Sequence, residues 1–216
     1  MPLLSSEFDR AVWVPVPMAF EGAPRKDPFK GTPWKDPAEW GWQVALGRLG
    51  QERGEVTKQM AADEVYPRAM QLVAARDALV GTRASMLYFH VPDSTCLPVF
   101  LAVSMWRSKG TLEEARARLG GDAIEGADGE PVVEPFATDA LGEGVRRTWT
   151  GELEQGVFVM SDYVFRDQQQ QVDVHVLVGP NWELDRTEPV RRDVEAFVRV
   201  LRFLPPEPPR RRLFGR

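Results

Sequence analysis

Between Gly156 and Val178 the chain alternates apolar and polar residues with a period of two, across one short polar break. Val157, Val159, Ser161, Tyr163 and Phe165 share one parity, and Val172, Val174, Val176 and Val178 share the matching parity of the following run. Such alternation marks strands with one buried face, so the segment reads as a β-hairpin turning at residues 167–170. A one-residue slip would turn the whole valine ladder to solvent. The ladder therefore needs a covering layer, and the rest of the sequence must provide it.

Four further runs read as strands: residues 84–91, 98–106, 131–137 and 144–153. Residues 11–20 form another, but Pro15 and Pro17 cannot donate to a ladder, which places that run at a sheet edge. Helices have clear boundaries. Asp36 is an N-cap with Pro37 at the first helical position and Glu39 completing a capping box. Trp40, Val44, Leu46 and Leu49 follow as an apolar stripe, and Gly50 is the expected stop. Residues 56–79 have helical spacing broken by Pro67. Thr111 with Glu114 caps a short helix over residues 111–119. Thr187 is the expected cap of a final helix over residues 187–201, with Val190, Val194, Phe197, Val198 and Leu201 on its apolar face. Strands in a run with helices before and after them predict an α+β fold: an antiparallel meander of roughly five to seven strands with helices packed on both faces. Residues 1–204 read as one domain and residues 205–216 as a proline- and arginine-rich tail.

The opening WVPVPMAF strand before a helix, the meander, and the closing VEAFVRVLRF helix resemble the PsbP-like family, the photosystem II extrinsic protein and its small bacterial relatives. The resemblance covers most of residues 11–204 at the level of element order. It implies an antiparallel sheet sandwiched by helices and a role as a binding or assembly module.

Composition removes several chemistries. With 216 residues, 43% hydrophobic and 27% charged, the chain is long enough to bury a core without staples. One cysteine, Cys96, excludes an internal disulfide and a Cys-rich zinc site, and two histidines exclude a His-rich metal site. No cofactor is indicated. The net charge is −5, and Arg210, Arg211, Arg212 and Arg216 against Glu207 make the tail basic and the body more acidic still. An acidic body without a basic stripe argues against nucleic acid. No run of 18 apolar residues predicts a membrane span, and the first residues lack a signal-peptide pattern. With one free thiol this predicts a cytoplasmic protein, and 22 arginines against 5 lysines suit a GC-rich bacterial genome.

Four groups of residues are candidates for function. If Arg166 pairs with Gln171, Asp162 lies opposite His175 on the face away from the valines, an arrangement that orients a general base or forms a buried ion pair. His90 with Cys96 is either a thiolate pair or a packed cysteine beside a satisfied histidine. Trp34, Trp40 and Trp42 lie within nine residues of each other, as core or as a partner surface. Trp40 and Trp42 are about 200° apart on a helix, so one of them is expected to be partly exposed. The tail, with Arg210, Arg211, Arg212, Leu213 and Phe214, is either a solubilising end or a linear motif for a protein partner or a second copy. The acids Asp122, Glu125, Asp128 and Glu130 lack the spacing of a calcium loop. The expected function is a non-enzymatic protein-binding or assembly module. The alternatives are a small hydrolase or transferase using His175 and Asp162, and a carrier of a small apolar ligand.

Overall fold

The computed structural model describes residues 4–18, 34–107, 110–111, 113–114, 117, 126–167 and 172–204. In chain order they form β1 (Leu4–Ser5), β2 (Trp13–Pro15), α1 (Pro37–Arg53), α2 (Lys58–Met60), a π-helical turn (Ala61–Val65), α3 (Tyr66–Asp77), β3 (Met86–His90), β4 (Val99–Arg107), β5 (Val132–Thr138), β6 (Gly142–Leu153), β7 (Gly156–Asp167), β8 (Val172–Asn181), α4 (Thr187–Val200) and β9 (Arg202–Phe203). Seven strands make one sheet in the order β2-β3-β4-β8-β7-β6-β5, antiparallel throughout. Beside it, β1 and β9 form a two-stranded ladder joining the two ends of the described chain. The fold is α+β.

The two faces of the sheet are covered differently. On one face, Leu101 and Val103 of β4, Tyr163 and Phe165 of β7, and the β8 valines pack under Val190, Val194, Phe197 and Val198 of α4. This is the layer the valine ladder requires. Val157 is the exception, because β7 meets β8 only from Val159 onward and the first residues of β7 run past the end of β8, leaving Val157 exposed. On the opposite face, Leu87 and Phe89 of β3 and Ala102 of β4 pack against Trp40, Leu49, Ala69 and Leu72 of α1 and α3. Those helices cover only the β2-β3-β4 end of the sheet.

The α1 cap forms as the sequence predicts: Asp36 accepts the Glu39 N–H at 2.8 Å, and Glu39 reaches back to the Lys35 N–H at 2.7 Å. The helix runs past Gly50 to Arg53 and stops at Gly54, whose φ of 77° suits only a residue without a Cβ. The break expected at Pro67 is the π-helical turn just before it, where the Tyr66 N–H donates to Ala61 O. Thr187 is not the cap of α4. It is the first residue of the helix, follows a 3-10 turn at Leu184–Arg186, and its hydroxyl accepts from Asn181 instead. Thr111 and Glu114 exchange the two bonds of a capping box.

Gly41 allows α1 to lie close against α3. A Cβ built there meets Ala69 O at 2.7 Å and Val73 Cγ2 at 2.9 Å. Gly41→Ala is therefore expected to lose about 1–3 kcal/mol through overpacking, despite the better helix propensity of alanine. Urea denaturation measures this, and an unchanged or raised midpoint would refute the close approach.

Candidate functional site

The described part of the chain offers three places with unusual chemistry. The first is the polar row on the sheet face that α1 and α3 leave uncovered. β7 and β8 are in register with Asp167 opposite Val172, so Asp162 faces Leu177 and His175 faces Val164. The predicted pairing, with Arg166 opposite Gln171, is thus off by two. Slipping by two keeps parity, so Asp162 and His175 still share a face as diagonal neighbours, with His175 Nε2 3.3 Å from Asp162 Oδ2.

The sequence reading missed Arg147. From β6 it places Nη2 2.7 Å from Asp162 Oδ2 and Nε 3.3 Å from Oδ1, a two-pronged clasp on a carboxylate only 1% exposed. Trp106 of β4 lies against the His175 ring at 5.5 Å, and the Arg147 guanidinium lies 5.2 Å from the Trp149 ring centre. Arg166 clasps Asp173 in the same two-pronged manner, both bonds at 2.7 Å. Even spacing of Ser104 and Trp106 with Ala102 along β4 places them on this face, a signal available once β4 is set beside β8. Ser104 stands opposite His175. Among the described residues, His175 hydrogen-bonds Asp162 and no hydroxyl or thiol. The row is a polar network in which the Asp162 carboxylate is shared by Arg147 and His175.

The second place concerns His90 and Cys96, which are not paired with each other. His90 is almost fully buried on the α4 side of the sheet, its Nε2 2.9 Å from Asp193 Oδ2 and its ring edge against Trp13. The Cys96 thiol donates to Asp93 O, and burial pushes its pKa up, away from a thiolate. Asp93 is held well below the usual carboxylate range. Partial burial opposes this but is outweighed by hydrogen bonds from the Cys96 and Thr95 N–H groups and the Thr95 hydroxyl.

Burial lowers the pKa of His90 from its ordinary 6.5, more than Asp193 raises it. The unfolded chain then binds a proton that the folded chain resists, so stability should be intact above about pH 6.5 and fall as the pH drops below it. A thermal-unfolding series from pH 7 to pH 5 should show this loss, and His90→Gln should flatten it. An equally steep loss in the variant would assign the effect elsewhere.

The third place is the edge of the sheet. Trp40 is fully buried in the α1-α3 core and cannot meet a partner, which removes it from the predicted surface, whereas Trp34 and Trp42 are half-buried. Trp34 joins Phe8, Trp13, Val14, Pro15 and Val44 in an open groove of about 470 Å³ between β2 and α1. Arg10 and Arg48 also line it, and among the described residues no acidic one does. Arg48 is buried and committed to the Ala11 and Arg10 carbonyls, while Arg10 is exposed. The prolines set β2 at the edge as expected. Trp13 N–H is held by Asp9 O and Pro15 has no N–H, so the outer side of β2 presents carbonyls and no donor.

The tail residues Arg210, Arg211, Arg212, Leu213 and Phe214, and the loop acids Asp122 and Glu125, lie outside the described residues. Among the described residues no group of three or more His, Cys, Asp or Glu side chains could hold a metal, and no helix is long and apolar enough to cross a membrane. No protein-family model matches the chain, and no curated protein matches it.

Proposed function

We propose that this chain is a non-enzymatic protein-binding module whose partner docks in the groove between β2 and α1. The groove itself carries the reading: an open apolar trough of about 470 Å³ with Trp13 and Trp34 in its walls and, among the described lining residues, Arg10 and Arg48 as the charged ones. Tryptophan and arginine are the residue types most enriched where binding energy concentrates. The occupant is an extended segment of another protein, apolar with an acidic residue that meets Arg10. A second copy does not fit, since two donor-free edges would face each other carbonyl to carbonyl. The chain's own basic tail does not fit either, because Arg10 and Arg48 repel it. The reading agrees with the PsbP-like relationship drawn from element order, whose members mostly bind or assemble, and we place the module in a bacterial cytoplasm.

Selection from a displayed library of random decapeptides tests this. Enriched sequences should combine aromatic or aliphatic residues with Asp or Glu. Arg10→Glu and Trp34→Ala should each weaken a selected peptide by about tenfold or more, and His175→Gln should leave it unchanged. Basic consensus sequences, or binding indifferent to both groove variants, would overturn the proposal. Binding that depends on His175 would favour the hydrolase or transferase reading of the polar row.

A further inference from the structure

The α1 wall of the groove is interrupted at one position. The residues of α1 that line it fall in two rows at a spacing of four: Gln43, Gly47 and Gln51 in one, Val44 and Arg48 in the other. The first row is exposed, whereas Val44 is half-buried and Arg48 buried. Side chains four apart form a ridge along a helix, and Gly47 leaves the middle of this ridge empty. A Cβ built at Gly47 meets no heavy atom within 4 Å among the described residues. Gly41, earlier in the same helix, is the contrast, because a Cβ there runs into Ala69 O at 2.7 Å. Packing against α3 requires glycine at position 41. Among the described residues nothing requires it at position 47, where it weakens the helix relative to alanine.

The notch has defined ends. Gln43 and Gln51 are eight residues apart, about 12 Å along the helix axis, with Gly47 midway. Gln51 Oε1 accepts from Arg48 Nη1 at 3.1 Å, and Arg48 is itself anchored on the Arg10 and Ala11 carbonyls. Phe8, Pro15 and Trp34 supply apolar surface to the same groove.

We propose that Gly47 is the specificity-determining position of this groove, its notch taking one aromatic side chain of the bound segment. The inference rests on the docking reading above and adds which side chain the partner must carry. An extended segment turns alternate side chains to one face, so one of them enters the notch while the backbone follows β2. A ring suits the space, since it fills a slot one residue wide, orders only two side-chain torsions and gains from contact with other rings such as Trp34. The acidic residue that meets Arg10 is a separate position of the same segment.

Two variants test this against a decapeptide selected on the parent protein. Gly47→Ala and Gly47→Leu should each fold with an unchanged or raised urea midpoint, because both favour the helix and meet open space. Gly47→Leu should weaken the peptide by about tenfold or more, and Gly47→Ala by less. Selection repeated on Gly47→Leu should return sequences in which one aromatic position of the parent consensus has become glycine, alanine or serine while the acidic position is kept. A general loss of structure would not produce that exchange. A parent consensus without an aromatic position, full affinity in Gly47→Leu, a lowered urea midpoint in both variants, or an unchanged aromatic position in the second selection would overturn the notch. If Arg10→Glu and Trp34→Ala still weaken the peptide, the groove reading survives that result. Peptide binding indifferent to Arg10→Glu and Trp34→Ala would overturn both.

Discussion

Asp162→Ala is expected to destabilise the fold by about 3–5 kcal/mol, the cost of breaking a buried ion pair from one side. Asp162 is 1% exposed and is clasped by Arg147, whose own side chain is 13% exposed. Truncation leaves that guanidinium charged, largely buried and without its carboxylate. It also leaves His175 without its hydrogen-bond partner. The size of the effect comes from a largely buried charge that loses its clasped carboxylate and not from the strength of the pair, so replacing both partners should be mild. The double variant Asp162→Leu with Arg147→Met should recover more than half of the loss. His175→Gln should cost under about 1 kcal/mol, because its contact is long and partly exposed. Urea denaturation at neutral pH ranks the three. If Asp162→Ala costs less than about 1 kcal/mol, the row does not hold the sheet together. The two-pronged geometry of the clasp would then need another reason, such as chemistry at His175.

The parts of the fold legible in the sequence are those where a local rule and the tertiary structure agree. The valine parity of β7 and β8 places Tyr163 and Phe165 beneath α4, because a two-residue period leaves no other way to bury them. Asp36 caps α1 because an Asp-Pro step with a Glu three residues on satisfies the first amides locally. Pro15 and Pro17 fix the sheet edge because a residue without an N–H is excluded from the interior of a ladder.

Where the outcome depends on distant segments, local rules run out. The hairpin register slipped by two because no residue in the turn selects between adjacent four-residue loops; parity survived the slip, and Asp162 and His175 still meet. Arg147 was not foreseen, since nothing in its own strand shows that β6 lies beside Asp162. The same holds for Phe8, Trp13 and Val44 of the groove. Trp40 and Trp42 show the limit from the other side: helical spacing separates their faces correctly, but only the assembled layers decide that Trp40 is the buried one.

The second large effect is expected at Phe197. Phe197→Ala should cost about 3–5 kcal/mol, the range for removing a buried aromatic ring and leaving a cavity. Phe197 is 2% exposed, and its ring lies 4.9 Å from Tyr88, 5.1 Å from Trp13 and 5.9 Å from Phe8. These partners belong to β3, to the edge strand β2 and to the segment between β1 and β2, so one side chain of α4 ties three separate stretches together. The rings cannot collapse into the void independently, because Tyr88 and Trp13 are held by the β2-β3 ladder. The loss should therefore stand at the upper end of the range, whereas Phe197→Leu, which keeps most of the volume, should cost under about 1.5 kcal/mol. Val200→Ala, three residues on and exposed, should lie within about 0.5 kcal/mol of the parent. Hydrogen exchange separates a local from a global weakening. Phe8 anchors the end of the chain that carries β1, so amides of Leu4–Ser5 and Arg202–Phe203 should open well before those of β7 and β8 in Phe197→Ala. Equal loss of protection in both ladders would mean that Phe197 supports the whole sheet and not this junction.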